Sequence, residues 1–282
     1  MDQIVQQIDT EDDGERQEQP THDRPFNPFR SPRSEKVRTI VADVLKQVQS
    51  FERAKNLRQR KRRSDDQATF EQTVAAVVCD LAHRAITRPD GWVSVPLSNQ
   101  FLGRASRYRA PAMSKALPDI LARMSAPEMA FVEMQVGYQG FFGPSRRTVL
   151  HAGPRLLSRI AEHGIGLEDL GVSPDQEVIR LKRERADFWD EGGLVEYEDT
   201  DQTRQYRAEM TEINDWLVSA DIQFDPDAAP KAKEVVDDTE RRLCRYFTRG
   251  SFESGGRLFG GFWQSMPKWQ RRKGLLISGE EV

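Results

Sequence analysis

Cationic side chains are the residues of this sequence best suited to chemistry on a partner molecule. Arginine and lysine bind phosphate oxygens through charge-assisted hydrogen bonds. In the segment 67–165, basic residues outnumber acidic ones by 11 to 7. Six of them fall on a predicted helix, in the turn before it and at the base of a predicted hairpin, where a nucleic acid could be contacted. These candidate residues are Arg107, Arg109, Lys115, Arg123, Arg146 and Arg147.

A second group of candidates lies in the final segment, 241–282, which carries 9 basic and 3 acidic side chains. Its stretch 251–264 places four glycines among aromatic residues, a pattern typical of tight turns or of close backbone approach. We interpret Arg257, Arg271 and Arg272 as possible contacts to a nucleotide or to a nucleic-acid backbone. The stretch has no P-loop pattern, because no Gly-Lys-Ser/Thr follows its glycines at the required spacing.

Catalytic and metal-binding motifs are absent from the sequence. It contains no His-Glu-x-x-His, no Gly-x-Ser-x-Gly, no Cys-x-x-Cys and no Rossmann glycine fingerprint. The segment 166–240 has 22 acidic and 8 basic side chains, but no histidine or cysteine lies among them, so we predict a solvated acidic face. We therefore expect no catalytic residue, no metal and no cofactor.

The expected location of the protein is the cytoplasm. No stretch approaches the ~20 apolar residues of a membrane span, and the acidic, polar start of the chain does not resemble a signal peptide. The two cysteines, Cys79 and Cys244, are too few and too far apart for a disulfide framework, so we expect them to be reduced and buried.

The elements that must position these residues begin with a disordered segment and one amphipathic helix. Residues 1–34 contain four prolines after position 19 and few apolar side chains, and they are predicted to be disordered. Within 35–66, apolar residues at spacings of three and four predict a helix that starts after Ser34 and ends in the basic run 58–63. That run is either a solvated helix end or a nucleic-acid contact.

The segment 67–165 is predicted to be a winged helix-turn-helix domain. Its pattern gives the order helix, strand, helix, helix, hairpin, helix, in which one helix enters the major groove and the hairpin reaches the flanking backbone. The alternative is a winged helix that binds protein, whose arginines only keep it soluble.

The remainder is predicted to complete a helix-rich α+β fold. Residues 166–240 form an acidic α/β region with a strand at 177–182, a helix after Thr200 and a linker at 221–233. A last helix is predicted at the start of the basic segment 241–282. Its core-facing positions, spaced as in a helix, are Val236, Thr239, Leu243, Tyr246 and Phe247. A strand at 275–277 then begins a hairpin that is incomplete, because too few residues follow it.

Seven segments of the sequence carry a family resemblance. They are 95–98, 107–109, 146–148, 178–182, 197–200, 213–214 and 254–264, the last of which we call the Gly-Gly-Arg block. Together they resemble a group of largely uncharacterised proteins from bacterial chromosomes, plasmids and phage-like elements. The resemblance covers roughly 68–282 and is sharpest in the Gly-Gly-Arg block. Proteins of that group continue into an Asp-Tyr-Ser-type strand, similar to the metal-binding palm motif of family-A DNA polymerases. This sequence has no position that matches the palm motif, so the resemblance implies the N-terminal part of a longer ancestral protein.

Three functions are compatible with these patterns. The preferred one is a non-catalytic DNA-binding module related to the replication of mobile elements. The second is a fragment of a polymerase-like nucleotidyl-transfer enzyme that handles nucleotides with Arg257, Arg271 and Arg272. The third is a regulatory protein whose acidic region holds a basic protein partner.

Overall fold

The computed structural model describes residues 23–138, 146–187, 189–190, 192–228 and 235–281. Helices and small sheets alternate in this part of the chain, which confirms the predicted α+β class. The helices are α1 (Glu35–Ala54), α2 (Ser64–Thr87), α3 (Asn99–Leu102), α4 (Leu117–Met124), α5 (Pro154–His163), α6 (Asp201–Ser219), α7 (Phe262–Ser265) and α8 (Lys268–Gly274). The strands are β1 (Arg24–Pro25), β2 (Arg30–Pro32), β3 (Val93–Val95), β4 (Val132–Gln135), β5 (Thr148–Ala152), β6 (Leu170–Val172), β7 (Ile179–Leu181), β8 (Ile222–Phe224), β9 (Cys244–Thr248), β10 (Ser251–Phe259), β11 (Leu275–Ile277) and β12 (Glu280–Glu281).

The helix α1 begins as its sequence predicts but ends earlier. The Ser34 hydroxyl accepts a hydrogen bond from the backbone N–H of Val37 at 3.4 Å and so caps the first turn. The helix ends at Ala54, two residues before Asn56, whose φ of 53° is a left-handed conformation that stops a helix. The basic run 58–63 therefore lies in the loop between α1 and α2 and not on a helix end.

The helix α2 lies at the centre of the first of two hydrophobic cores. Its middle turns are buried on every side, with Val74, Val77 and Leu81 fully inaccessible to solvent. Around it pack α1, α4, α5 and the strand β5. Its buried positions are mostly apolar, as expected of a helix in the interior of a domain, with Asp80 and His83 among the buried polar exceptions. In the described residues, no helix has the length and apolar character that crossing a membrane requires.

A four-stranded sheet in the order β1-β3-β5-β4 covers one side of this core. The strands β4 and β5 pair antiparallel, with Val132 opposite Ala152 and Gln135 opposite Val149. The strand β3 pairs antiparallel with the other edge of β5. The tip of the β4–β5 hairpin lies largely outside the described residues.

The second core forms where α6 packs on the three-stranded sheet β10-β9-β7. Ile179 and Leu181 of β7 face Met210 of α6, together with Phe247 of β9. Because side chains alternate along a strand, residues between these positions face the opposite side of the sheet. The capping Thr200 hydroxyl accepts a hydrogen bond from the backbone N–H of Thr203 at 3.2 Å, where the sequence predicted the start of this helix.

The prediction of a last helix is wrong. Residues 244–248 form β9, which pairs parallel with β7 and antiparallel with β10. The apolar residues of this segment fit helical spacing, but the sheet edge of β7 supplies backbone hydrogen bonds that local periodicity does not reveal. The predicted linker also contains a strand, β8, which pairs with β11 and extends the short β11–β12 hairpin to three strands.

Residues 23–34 are ordered, although the sequence analysis assigned all of 1–34 to a disordered segment. The strand β1 pairs with β3, β2 pairs with β6, and Phe26 is buried in the first core. The prolines do not prevent this arrangement because both strands are only two or three residues long. Residues 1–22 lie outside the described part of the chain.

A buried ion cluster joins the two cores through Arg30 of β2. The Arg30 guanidinium is 3.8 Å from Asp80 of α2 and 3.7 Å from Asp237, and it also pairs with Glu240. Asp80, which is inaccessible to solvent, is held by Arg24 at 2.7 Å as well. Asp80 belongs to the first core, whereas Asp237 and Glu240 precede β9 of the second, so the Arg30 side chain bridges the two cores.

We expect Arg30→Leu to destabilise the protein by about 3–5 kcal/mol, because it leaves buried carboxylates without their counter-charge. The matched control is Arg38→Leu, which removes an exposed arginine paired with Glu35 at 2.8 Å and should cost about 0–1 kcal/mol. Urea unfolding of both variants measures the difference. Equal, small losses would contradict the role assigned to Arg30.

Candidate nucleic-acid interface

The loop between α1 and α2 lies beside the start of α4. Between them is a cavity of about 450 Å³, which we call the basic groove. Its cationic lining comes from Arg58 and Arg62 of the loop and from Lys115 and Arg123 of the α4 region. Two basic stretches that are more than fifty positions apart in sequence therefore form one surface. The groove also contains two carboxylates, Asp66 and Asp119.

A buried glutamate holds the two sides of the basic groove together. Glu52, at the end of α1, is 2 % exposed and lies 2.6 Å from an Arg62 nitrogen and 2.8 Å from an Arg123 nitrogen. The Arg62 guanidinium also stacks on the Phe70 ring at 3.7 Å. One carboxylate thus offsets part of the charge of two guanidinium groups and fixes where both lie.

The remaining cations of the loop point outward. Arg58, Arg60, Lys61 and Arg63 are exposed, and Lys115 is exposed across the groove. Side chains of this kind can reach a polyanion without breaking a buried ion pair. The exposed cations, and not Arg62 or Arg123, are therefore the groups able to contact phosphate.

Arg107, the first candidate of the sequence analysis, lies in an acidic cluster instead. Its guanidinium is 3.0 Å from Asp199, 3.7 Å from Glu177 and 3.7 Å from Glu196, and it stacks on the Tyr197 ring at 3.7 Å. Hydrogen bonds from Arg207 and Arg107 lower the pKa of Asp199 to about 2. Arg107 thus attaches the acidic region to the first core, which leaves it unsuited to a phosphate contact.

Arg109 lies beside α3, and Arg146 and Arg147 lie at the base of the β4–β5 hairpin. The Arg109 guanidinium donates to the backbone carbonyls of Phe101 and Arg104, and its burial, together with the charge of Arg104, lowers its pKa. Arg146 donates to the Gln135 side chain across the β4–β5 hairpin at 2.7 Å. Arg147 is exposed at the base of the same hairpin. Of these three, Arg147 is the one with an exposed side chain.

The three C-terminal candidates lie on two elements, β10 and α8. Arg257 is exposed on β10, and Arg272 is exposed on α8. Arg271 donates a hydrogen bond to the Trp263 carbonyl at 3.1 Å and so links α8 to α7. The glycines around Arg257 fit a strongly bent strand, because Gly255 and Gly256 have φ values of 100° and 81°.

One group of possible metal ligands has no signal in the sequence. Ligand atoms of His83, Asp237 and Glu240 lie within 4.8 Å of one another beside a cavity of about 540 Å³. Arg30 already pairs with both carboxylates, and the His83 ring is 2.9 Å from Asp237, so the group is built as an ion cluster. His83 and Asp237 are 154 positions apart, and neither lies in a motif that could have indicated the contact.

Comparison with known proteins identifies no relative: no family model matches the chain, and neither a curated protein nor a solved structure matches it.

The Asp199 cluster predicts a particular loss of stability in acid. Because the folded pKa of Asp199, about 2, lies below the ~3.9 of an unfolded aspartate, its contribution is present above pH ~4 and is lost as the pH falls towards 2. We expect Asp199→Asn to be less stable than the wild type at pH 5, with a smaller difference at pH 3. The free energy of unfolding in urea at both pH values tests this.

The neighbouring variant Asp201→Asn is the control, since Asp201 is fully exposed and pairs only with Arg204 on the surface. The free energy of unfolding of Asp201→Asn should match that of the wild type at both pH values. A difference for Asp199→Asn that does not change with pH would contradict the assigned ion pairs.

Proposed function

We propose that this protein binds nucleic acid, and specifically the phosphate backbone of duplex DNA, through the basic groove and the exposed cations of the loop beside it. The observation that carries the proposal is the meeting of the loop 55–63 with the start of α4, which concentrates cations on one surface. A polyanion is the partner that such a surface attracts, because its binding releases condensed counterions.

The arrangement of elements supports a winged-helix mode of binding. The helix α4 lies between the short helix α3 and the β4–β5 hairpin, and β3 adds a third strand to that hairpin. In a winged helix, the element in the position of α4 enters the major groove and the hairpin reaches the flanking phosphates. Arg147, exposed at the base of the hairpin, would make the second contact.

The surface of α4 indicates weak sequence specificity. Its exposed positions carry Ala122 and Asp119, with Ala116 just before the helix, and Arg123 is held by Glu52. Base readout in the major groove depends on side chains such as arginine, asparagine and glutamine, which these positions lack. We therefore propose a protein that recognises the backbone more than the bases. A role in the replication of mobile elements remains part of the proposal through the resemblance of the Gly-Gly-Arg block.

The test is the salt dependence of binding to a short fluorescein-labelled duplex, followed by anisotropy. The wild-type affinity should fall steeply between about 50 and 200 mM salt, as for proteins that neutralise several phosphates. The triple variant Arg58→Ser, Arg60→Ser, Lys115→Ser should bind more weakly and lose about one unit of salt slope for each phosphate contact removed.

The matched control removes the same charge elsewhere. Arg185, Arg204 and Lys268 lie on exposed positions away from the basic groove, and their joint replacement by serine should leave the salt slope unchanged. Thermal unfolding verifies that both triple variants are folded. Equal binding by the groove variant and the wild type, or binding that ignores salt, would refute the proposal.

A further inference from the structure

A buried arginine without a counter-charge lies at the centre of β7. Arg180 is 7 % exposed, and its Nε has no hydrogen-bond partner. Its side chain stacks at 5.3 Å on Tyr108, a neutral ring, and no carboxylate of the described residues lies within ion-pair distance of it. An arginine does not lose its proton at any ordinary pH, so its charge stays in place. A buried charge of this kind is costly unless something compensates it.

The sheet places further polar groups next to Arg180. Its register partner on β9 is Tyr246, and the register partner of Tyr246 on β10 is Arg257. Paired residues of neighbouring strands share one face, so these three form a row on the side of the sheet that faces away from α6. Cys244 and Phe259 occupy the next pair on the same face.

Beside this row is a cavity of about 370 Å³, which we call the arginine cavity. Its lining includes five arginines and two carboxylates. Arg30 and Glu240, both in the lining, already pair with each other, and Arg241 donates to the backbone carbonyl of Ile222 at 2.6 Å. The charges of Arg180 and Arg242 remain without a carboxylate partner in the described residues.

Arg242 resembles Arg180 in its surroundings. Its Nη2 donates to the Pro174 carbonyl at 3.0 Å, while its Nε has no partner. Burial lowers the pKa of Arg242, while the charge of Asp215, which also lines the cavity, raises it and the charge of Arg180 lowers it. Both guanidinium groups line one cavity, which has room for an anionic ligand that would offset their charge.

We propose that the arginine cavity binds a nucleoside monophosphate. Its phosphate would lie between Arg180 and Arg242, and its base would pack against Phe259. A guanidinium group binds phosphate with two parallel hydrogen bonds, so both unpartnered Nε groups would gain an acceptor. Phe259 is 48 % exposed and meets the Tyr246 ring edge-on at 5.4 Å, which holds an aromatic face at the cavity. This site is separate from the basic groove and does not depend on DNA binding.

The experiment is isothermal titration of the full chain with AMP, CMP, inorganic phosphate and adenosine. AMP or CMP should bind at least tenfold more tightly than phosphate, and adenosine should bind least, because the two arginines recognise the phosphate. The variant Arg180→Met removes the charge but keeps the length of the side chain, and it should weaken nucleotide binding at least tenfold. Arg242→Gln, measured separately, should have the same direction of effect.

The matched control is Arg245→Met, on the same sheet but on the opposite face, where Arg245 pairs with Glu209 at 2.8 Å. It should bind the nucleotide as the wild type does, and so should the triple variant of the basic groove. Thermal unfolding without ligand identifies any variant that has not folded. No binding of either nucleotide by the wild type, or unchanged binding by folded Arg180→Met, would overturn the proposal.

Discussion

The buried guanidinium group of Arg30 is a central link between the two cores of this protein. It contacts carboxylates from α2 and from the segment before β9, and it comes from a strand that pairs with β6. Because removing one partner of a buried ion pair is expensive, this cluster resists any change in the relative position of the cores. Arg30 and Glu240 also line the arginine cavity, so this ion cluster holds part of its wall in place.

The regular elements with strong periodicity were predictable from the sequence. The helices α1, α2 and α6 each have an apolar stripe, and two of them have a hydroxyl cap, so local physics is enough to place them. The strand β9 was not predictable, because its apolar residues fit a helix and one of its two partners, β7, is more than sixty positions away. The ordered residues 23–34 were missed for the same reason, since their partners β3 and β6 are distant in sequence.

The candidate site shows how charge composition misleads when partners are unknown. Nothing in the sequence separates Arg107 and Arg123 from Lys115 as candidate phosphate contacts. In the structure, Arg107 pairs with Asp199 and Arg123 pairs with Glu52, whereas the Lys115 side chain is exposed. Conversely, the run 58–63 could be read as a helix end or as a contact surface, and only its position next to α4 favours the second interpretation. Arg180 lay in an ordinary strand pattern, and nothing in its neighbours along the chain indicated burial without a counter-charge.

Binding of duplex DNA by the basic groove can be tested by hydrogen exchange measured with and without the duplex. The method needs no substitution and shows which backbone amides the duplex covers. Exposed loop amides exchange quickly unless a ligand protects them. If the basic groove binds duplex, we expect slower exchange in residues 55–64 and 113–119 when duplex is added, with little change in the acidic segment 192–219. Protection that appears instead on β10, or binding without protection of the 55–64 loop, would contradict binding by the basic groove.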